Sequence, residues 1–249
     1  MTTTIVGNHV SPYVRKVLVV LGLKGVPYAI DPLVPFFGND EFEKLSPLRR
    51  IPVLIDDQVT LFDSTVIGEY LDERYRAPPL MPAAPAERAR ARWLEEFADT
   101  RLCDLLIWSL FFEQAIRPSV LGEASDSDRV AQTLATDLPA AMDYLETQAP
   151  ADGFLFGVAP SLADIALACP FKNAMFVRWR PDATRWPRTA GLVARTLALP
   201  AFKALERYET LCLKTPPAQQ RAGLAALGET IAEVSYAGDA PRRGIMRLG

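Results

Sequence analysis

Three short stretches carry residues whose types and spacing suit chemistry. In "NHVSPYVRKV", Ser11 precedes Pro12 where a helical pattern begins, so its hydroxyl lies at the positive end of that helix. A hydroxyl there can cap the helix, and it can donate to an anion held at the same end. In "SPLRRIPVLIDD", Arg49 and Arg50 lead into Pro52 at the mouth of what reads as a buried strand. Proline removes a ladder donor and is tolerated at a strand's first residue, so Pro52 is either incidental or holds backbone open for something that binds. In "DSTVIGEY", Asp63 and Ser64 open another helix. An acid beside helix N-terminal N–H groups suits an ammonium and a carboxylate, or simply caps the helix.

The elements that must position these residues alternate through the first part of the chain. "TTTIVG" (Thr2 to Gly7) is a short β-branched run, and "SPYVRKVLVVLGLKG" has Val14, Val17, Leu18 and Leu21 at helical spacing with Gly25 near its stop. A second strand over 27–34, a short helix over 39–47, two strands across an acidic turn and a helix with Val66, Ile67, Tyr70 and Leu71 on one stripe follow. The order is βαβ, then αββα. "RAPPLMPAAPAER" (Arg76 to Arg88) is proline-rich and reads as a linker, and every strong pattern after it is helical. The expected domains are residues 1–78, an all-α unit at 86–215, and an extension at 216–249 that is partly ordered at best, with one helix near Gly223 to Val234. Pro170 in "ALACPFKN" predicts a kink or an end near Ala166.

Composition removes several function classes. The 249 residues are 49% apolar with a net charge of -3 and no long basic run, which gives a nucleic-acid backbone no electrostatic footing. The longest apolar run, Val17 to Leu23, falls far short of the roughly 20 residues a bilayer span needs. The start lacks a basic segment with an apolar stretch behind it, so the expectation is a soluble cytoplasmic protein. Cys103, Cys169 and Cys212 are odd in number and widely spaced, and His9 is the sole histidine, so neither a disulfide framework nor a metal site is expected.

The order and spacing of "NHVSPYVRKV", "SPLRRIPVL", "FDSTVIGEYLDERY" and "SLADIALA", with an all-helical second half, is similar to the cytosolic glutathione transferase family over about residues 3 to 212. The resemblance implies an α/β thioredoxin-like N-terminal domain (βαβαββα) followed by a helical bundle. It implies a cis bond before Pro52, with the Ile51 backbone pairing to the cysteinyl unit of glutathione. It assigns the γ-glutamyl carboxylate to Ser64, the ammonium to Asp63 and the glycyl carboxylate to Arg49 or Arg50, with Arg49 slightly preferred. A homodimer and a detoxifying role are expected on the same ground, and "PSLADIALA" reads as a structural capping box between Ser161 and Asp164.

For chemistry the resemblance points to Ser11, the position of the functional hydroxyl or thiol in serine-type and cysteine-type members. A hydrogen bond to a charged group is worth roughly 1.5 to 3 kcal/mol, or about one to two pKa units. A thiol of pKa about 8.5 then titrates near 6.5 to 7.5, and no general base is required. Serine in place of cysteine disfavours mixed-disulfide chemistry, which needs a protein thiolate. Tyr13 and His9 are rivals for the role. Some of Trp108, Phe111 and Phe112, with Tyr13, are expected to line an apolar pocket for the electrophile. The alternative is a binding module of the same fold with little turnover.

Overall fold

The β-branched start of the chain forms strand β1 (Thr3–Val6), and helix α1 (Pro12–Lys24) follows after one loop. The computed structural model describes residues 3–242. Helix α1 opens with Ser11 as N-cap and Pro12 in its first turn, and it stops at Gly25, whose left-handed φ of 65° a residue with Cβ adopts only at a cost. Strand β2 (Tyr28–Asp31) returns parallel to β1, closing a βαβ unit. A single 3₁₀ turn (Pro35–Phe37), α2 (Asp40–Leu45), β3 (Val53–Ile55), β4 (Thr60–Phe62) and α3 (Ser64–Arg74) complete the unit. The sheet order is β2-β1-β3-β4, with β3 antiparallel to both its neighbours. This is the mixed four-stranded sheet of a thioredoxin-like domain.

The chain divides into two compact units, one comprising residues up to Pro78 together with the chain from Lys203, the other Pro79–Phe202. The described part of the extension, up to Arg242, therefore groups with the N-terminal unit. Its helix lies at Pro217–Ala226, earlier than expected. Beyond it, Ile231 bridges Ile30 in parallel, with Ile30 N–H donating to Thr230 O (2.8 Å) and Ala232 N–H to Ile30 O (2.9 Å). Strand β2 is thus no open edge, because backbone from two hundred residues later satisfies its outer groups. Arg242 pairs with Asp40, while Arg243 and Arg247 lie outside the described residues.

The second unit is helical throughout. Helix α4 (Pro85–Phe97) runs on as π-type winding over Ala98–Leu121, so the expected long helix is present but wider wound than its sequence announces. Then come α5 (Ser127–Gln132), a π-type turn (Thr133–Asp137), α6 (Leu138–Gln148), α7 (Leu162–Phe176) and α8 (Pro187–Leu197). Helix α9 (Pro200–Lys214) leads into the extension and is followed by α10, the helix at Pro217–Ala226. The Ser161–Asp164 capping box is made in both directions. Helix α7 does not end near Ala166 but continues through Pro170. A mid-helix proline costs about 3 kcal/mol, whereas fully burying one Leu or Phe gains about 1.5 to 3 kcal/mol. Leu162, Ile165, Leu167 and Phe171 are all buried in α7, so packing overrides the local breaker. Among the described residues no helix is long and apolar enough to cross a membrane, and no cluster of metal-ligating side chains occurs.

Candidate functional site

Register brings the chemistry-bearing residues of the N-terminal unit to one end of its sheet. Asp31, Val6, Val53 and Phe62 form one row across the four strands. The residues one step beyond this row are Gly7, Pro52 and Asp63. The loop to Ser11, the turn before β3 and the start of α3 therefore open at the same end of the sheet.

Ser11 is half-buried with extended backbone (φ -66°, ψ 128°), and its Oγ accepts from the Val14 N–H at 3.4 Å. The cap uses a lone pair and leaves the hydroxyl proton to donate elsewhere, so capping and anion binding are compatible at one atom. No acidic residue occupies the first turn of α1 to oppose a negative ligand. Gly7 sets how closely this loop meets its surroundings. A Cβ there would lie 2.4 Å from Val14 Cγ2 and 3.4 Å from Ile51 Cβ, and the residue's φ is 156°. Gly7→Ala is expected to push α1 away from the turn before β3, destabilising by about 1 to 3 kcal/mol, measurable as a lower urea midpoint.

The Ile51–Pro52 bond is cis and both residues are buried. Among the described residues, the Ile51 N–H and C=O have no hydrogen-bond partner, so this strand-like backbone is open to pairing. The turn ahead of it is pinned by Ser46, whose Oγ donates to Arg50 O (2.9 Å) and accepts from Arg50 N–H (3.1 Å). Arg49 and Arg50 differ in burial. Arg49, at φ 49°, is buried and donates to Glu43 Oε2 (3.1 Å) and Gly38 O (3.2 Å). Arg50 is exposed. Arg49 is thus engaged with a solvent-exposed acid and a backbone carbonyl, and Arg50 is the exposed cation of the two.

Asp63 holds φ 74° and ψ 125°, outside the regions an L residue favours, at an exposed helix start. Its carboxylate accepts from the N–H of Thr65 (2.9 Å) and Val66 (3.2 Å). Backbone strain of this kind costs about 1 to 3 kcal/mol and concentrates at functional sites. Ser64, next along, is buried at the N-terminus of α3.

Tyr13 is half-buried on α1. Trp108, Phe111 and Phe112 belong to the other unit, where Phe111 and Phe112 are buried, packed on Phe176 and Trp108 respectively, and Trp108 is half-buried. His9, a rival to Ser11 in sequence, is wholly buried.

What sequence reasoning missed is a set of buried polar contacts, most of them to the chain beyond Lys203. Arg15 and Lys16 are buried on α1, Arg15 paired with Glu209 and Lys16 donating to Thr65 Oγ1 at 2.9 Å. Asp31 accepts from Tyr236 N–H (2.8 Å), Ser235 Oγ (3.0 Å) and Arg221 (3.1 Å). Burial nevertheless pushes its carboxyl up. Glu229 faces His9, 3.8 Å away, and the hydroxyls of Tyr208 and Tyr28. Burial raises this carboxyl, but those three groups outweigh it and hold it below its ordinary value. A depressed carboxyl contributes stability that is present above its unfolded value and lost as pH falls through the folded one. Acidification below about pH 4.3, the ordinary Glu value, is therefore expected to loosen residues around Glu229. Asp31, raised, contributes in the opposite sense and holds its contacts as pH falls. Hydrogen exchange of the tail at pH 3 and pH 6, in wild type and Glu229→Gln, checks this, the variant losing the pH dependence.

Comparison with known proteins identifies the family. Residues 6–79 match the family model for the glutathione S-transferase N-terminal domain, and 86–195 that for the C-terminal domain. Over 80 residues, 32% of the chain, it is 44% identical to a stringent starvation protein A homolog of Haemophilus ducreyi, spanning only 37% of that relative's length. It is 31% identical over 178 residues to an uncharacterized GST-like protein of Escherichia coli, covering 71% of this chain and 84% of that one. It is 28% identical over 193 residues to maleylacetoacetate isomerase of Rattus norvegicus, covering 76% of this chain and 84% of that one. Among solved structures, a glutathione S-transferase from Rhodospirillum rubrum superposes with a TM-score of 0.74 at 25% identity, over 82% of this chain and 91% of that one. Another, from Methylobacterium radiotolerans and in complex with glutathione sulfonate, gives 0.67 at 25% identity, over 82% and 94%. Two domain matches in order, together with a relative above 30% identity aligned over most of its length, fix the conclusion: the chain belongs to the glutathione S-transferase family.

Proposed function

We propose that this protein is a glutathione transferase that holds glutathione as its thiolate and adds it to an apolar electrophile. The observation that carries the reading is the convergence of the Ser11 hydroxyl, the open Ile51 backbone and the Asp63–Ser64 helix start at one end of the sheet. In this reading the Ile51 N–H and C=O pair with the cysteinyl unit beside cis-Pro52. The Ser64 N–H receives the γ-glutamyl carboxylate, Asp63 the ammonium and Arg50 the glycyl carboxylate. Ser11 donates to the sulfur, which also feels the positive end of α1. The sulfur then forms a bond to the electrophile's carbon while a leaving group departs or a proton is taken up.

In the N-terminal unit, half-buried Tyr13 is the aromatic offered to an apolar substrate; in the other unit, Phe111 and Phe112 are committed to the core and Trp108 is half-buried. Isomerisation by reversible thiolate addition is the second reading, favoured by the likeness to a maleylacetoacetate isomerase. A cytoplasmic homodimer serving detoxification completes the proposal. The deciding experiment is the ultraviolet thiolate absorbance of glutathione bound to the wild-type protein against pH. A midpoint near 6.5 to 7.5 supports the transferase. Binding with an unshifted midpoint of about 8.5 supports the binding module instead, and absence of binding removes both.

A further inference from the structure

The loop that presents Ser11 is tied to helix α10 by one buried amide. Asn8 builds the turn into Ser11 twice over, its Oδ1 accepting from Val10 N–H (3.0 Å) and its backbone carbonyl from Ser11 N–H (2.9 Å). The side chain's remaining group, Nδ2, donates to Gln220 Oε1 at 2.7 Å, and both residues are buried. Gln220 has no freedom to turn away. Its Nε2 donates to Cys212 O and Thr215 O, each at 2.9 Å, at the end of α9, so the oxygen must face Asn8. Beside this link, Arg15 reaches Glu209 and also the Val10 carbonyl at 3.5 Å. Three polar residues in or beside the loop, Asn8, His9 and Arg15, are thus met from beyond Lys203 by Gln220, Glu229 and Glu209.

We propose that Gln220 is a positioning residue for the Ser11 hydroxyl, acting through Asn8, so that the C-terminal extension is part of the thiol-activating machinery. The inference deepens the transferase reading and rests on it for its catalytic consequence. A hydroxyl that must donate to a sulfur has a narrow range of useful positions, and small misplacements cost disproportionately in rate. The local bonds of Asn8 shape the turn, but "GNHVS" has no proline and begins at a glycine, so the Gln220 link adds the long-range restraint that holds the turn in place.

The test uses the full chain with Gln220→Met, which keeps volume but loses all three hydrogen bonds, and Gln219→Met, on an exposed residue, as control. The first readout needs no ligand. Amide exchange at Val10 and Ser11 is expected to quicken about tenfold in Gln220→Met, while Thr65 and Val66 at the start of α3 stay unchanged. The second is kinetic. With glutathione, kcat at pH 6.5 is expected to fall about tenfold with KM for glutathione within about twofold, and the bound-thiol midpoint to move toward that of free glutathione. Unchanged loop exchange and an unchanged midpoint in a folded Gln220→Met overturn the proposal. A uniform rise in exchange over the whole N-terminal unit also overturns it, in favour of a structural role alone. If Gln220→Met does not fold, Asn8→Asp breaks the same link while keeping the acceptor for Val10, and the same outcomes decide. Should wild type bind glutathione with an unshifted thiol, the transferase reading fails while loop exchange still judges the positioning claim.

Discussion

Ser11→Ala is expected to raise the midpoint of the bound thiol by about one to two pH units and to lower turnover at pH 6.5 by about ten- to hundredfold. The magnitude follows from the loss of one hydrogen bond to a charged sulfur. The helix end remains and supplies its smaller share, typically 0.3 to 1 kcal/mol, so activity falls without vanishing. Alanine also removes the N-cap, whose loss costs about 1 kcal/mol of stability, and a second substitution separates the two effects. Ser11→Asp keeps a good cap but sets a carboxylate beside the sulfur, so its stability should hold while its turnover drops below that of Ser11→Ala. Thiolate absorbance and urea unfolding on the same three proteins provide the comparison. An unmoved midpoint in Ser11→Ala would transfer the role to Tyr13 or leave the thiol to the helix end alone.

The largest expected loss of stability comes from Arg15→Met, about 3 to 5 kcal/mol, because it leaves the Glu209 carboxylate without its guanidinium in a buried setting. Arg15 is fully buried and Glu209 is 2% exposed, so water cannot take over. Against a total stability of about 5 to 15 kcal/mol for a typical domain, that is a large fraction. Arg15→Met with Glu209→Leu is expected to recover most of it, since an apolar pair of similar volume removes both desolvation costs. Urea unfolding of the two variants decides the matter. If the single variant loses less than about 1 kcal/mol, the carboxylate has found other partners and the pair is not what holds α9 to α1.

Much of the candidate site lies in local pattern. Ser11 before Pro12 marks a helix start because a side-chain acceptor and a residue without an N–H both suit orphan donors there, and the structure uses both. Asp63 and Ser161 open their helices for the same kind of local reason. The strand and helix order of the N-terminal unit follows from hydrophobic periods of two and about 3.6, which short range alone determines. Arg49 and Arg50 show where such reasoning stops. Their types are visible in sequence, but which one faces solvent depends on a left-handed φ at Arg49 and on Glu43 and Gly38.

By itself, then, the sequence determined the element order, the caps, the candidate ligands for glutathione and the family, since each rests on neighbours within a few residues or on the linear order of motifs. Only the tertiary structure decided the rest. It carried α7 through Pro170, because burial of Leu and Phe side chains exceeds the local cost of proline. It buried Arg15 and His9, because groups about 200 residues away supply their partners. It made the weakly patterned extension a cover for β2 and a support for the Ser11 loop, through single long-range contacts such as Asn8 to Gln220 that have no period and leave no mark along the chain.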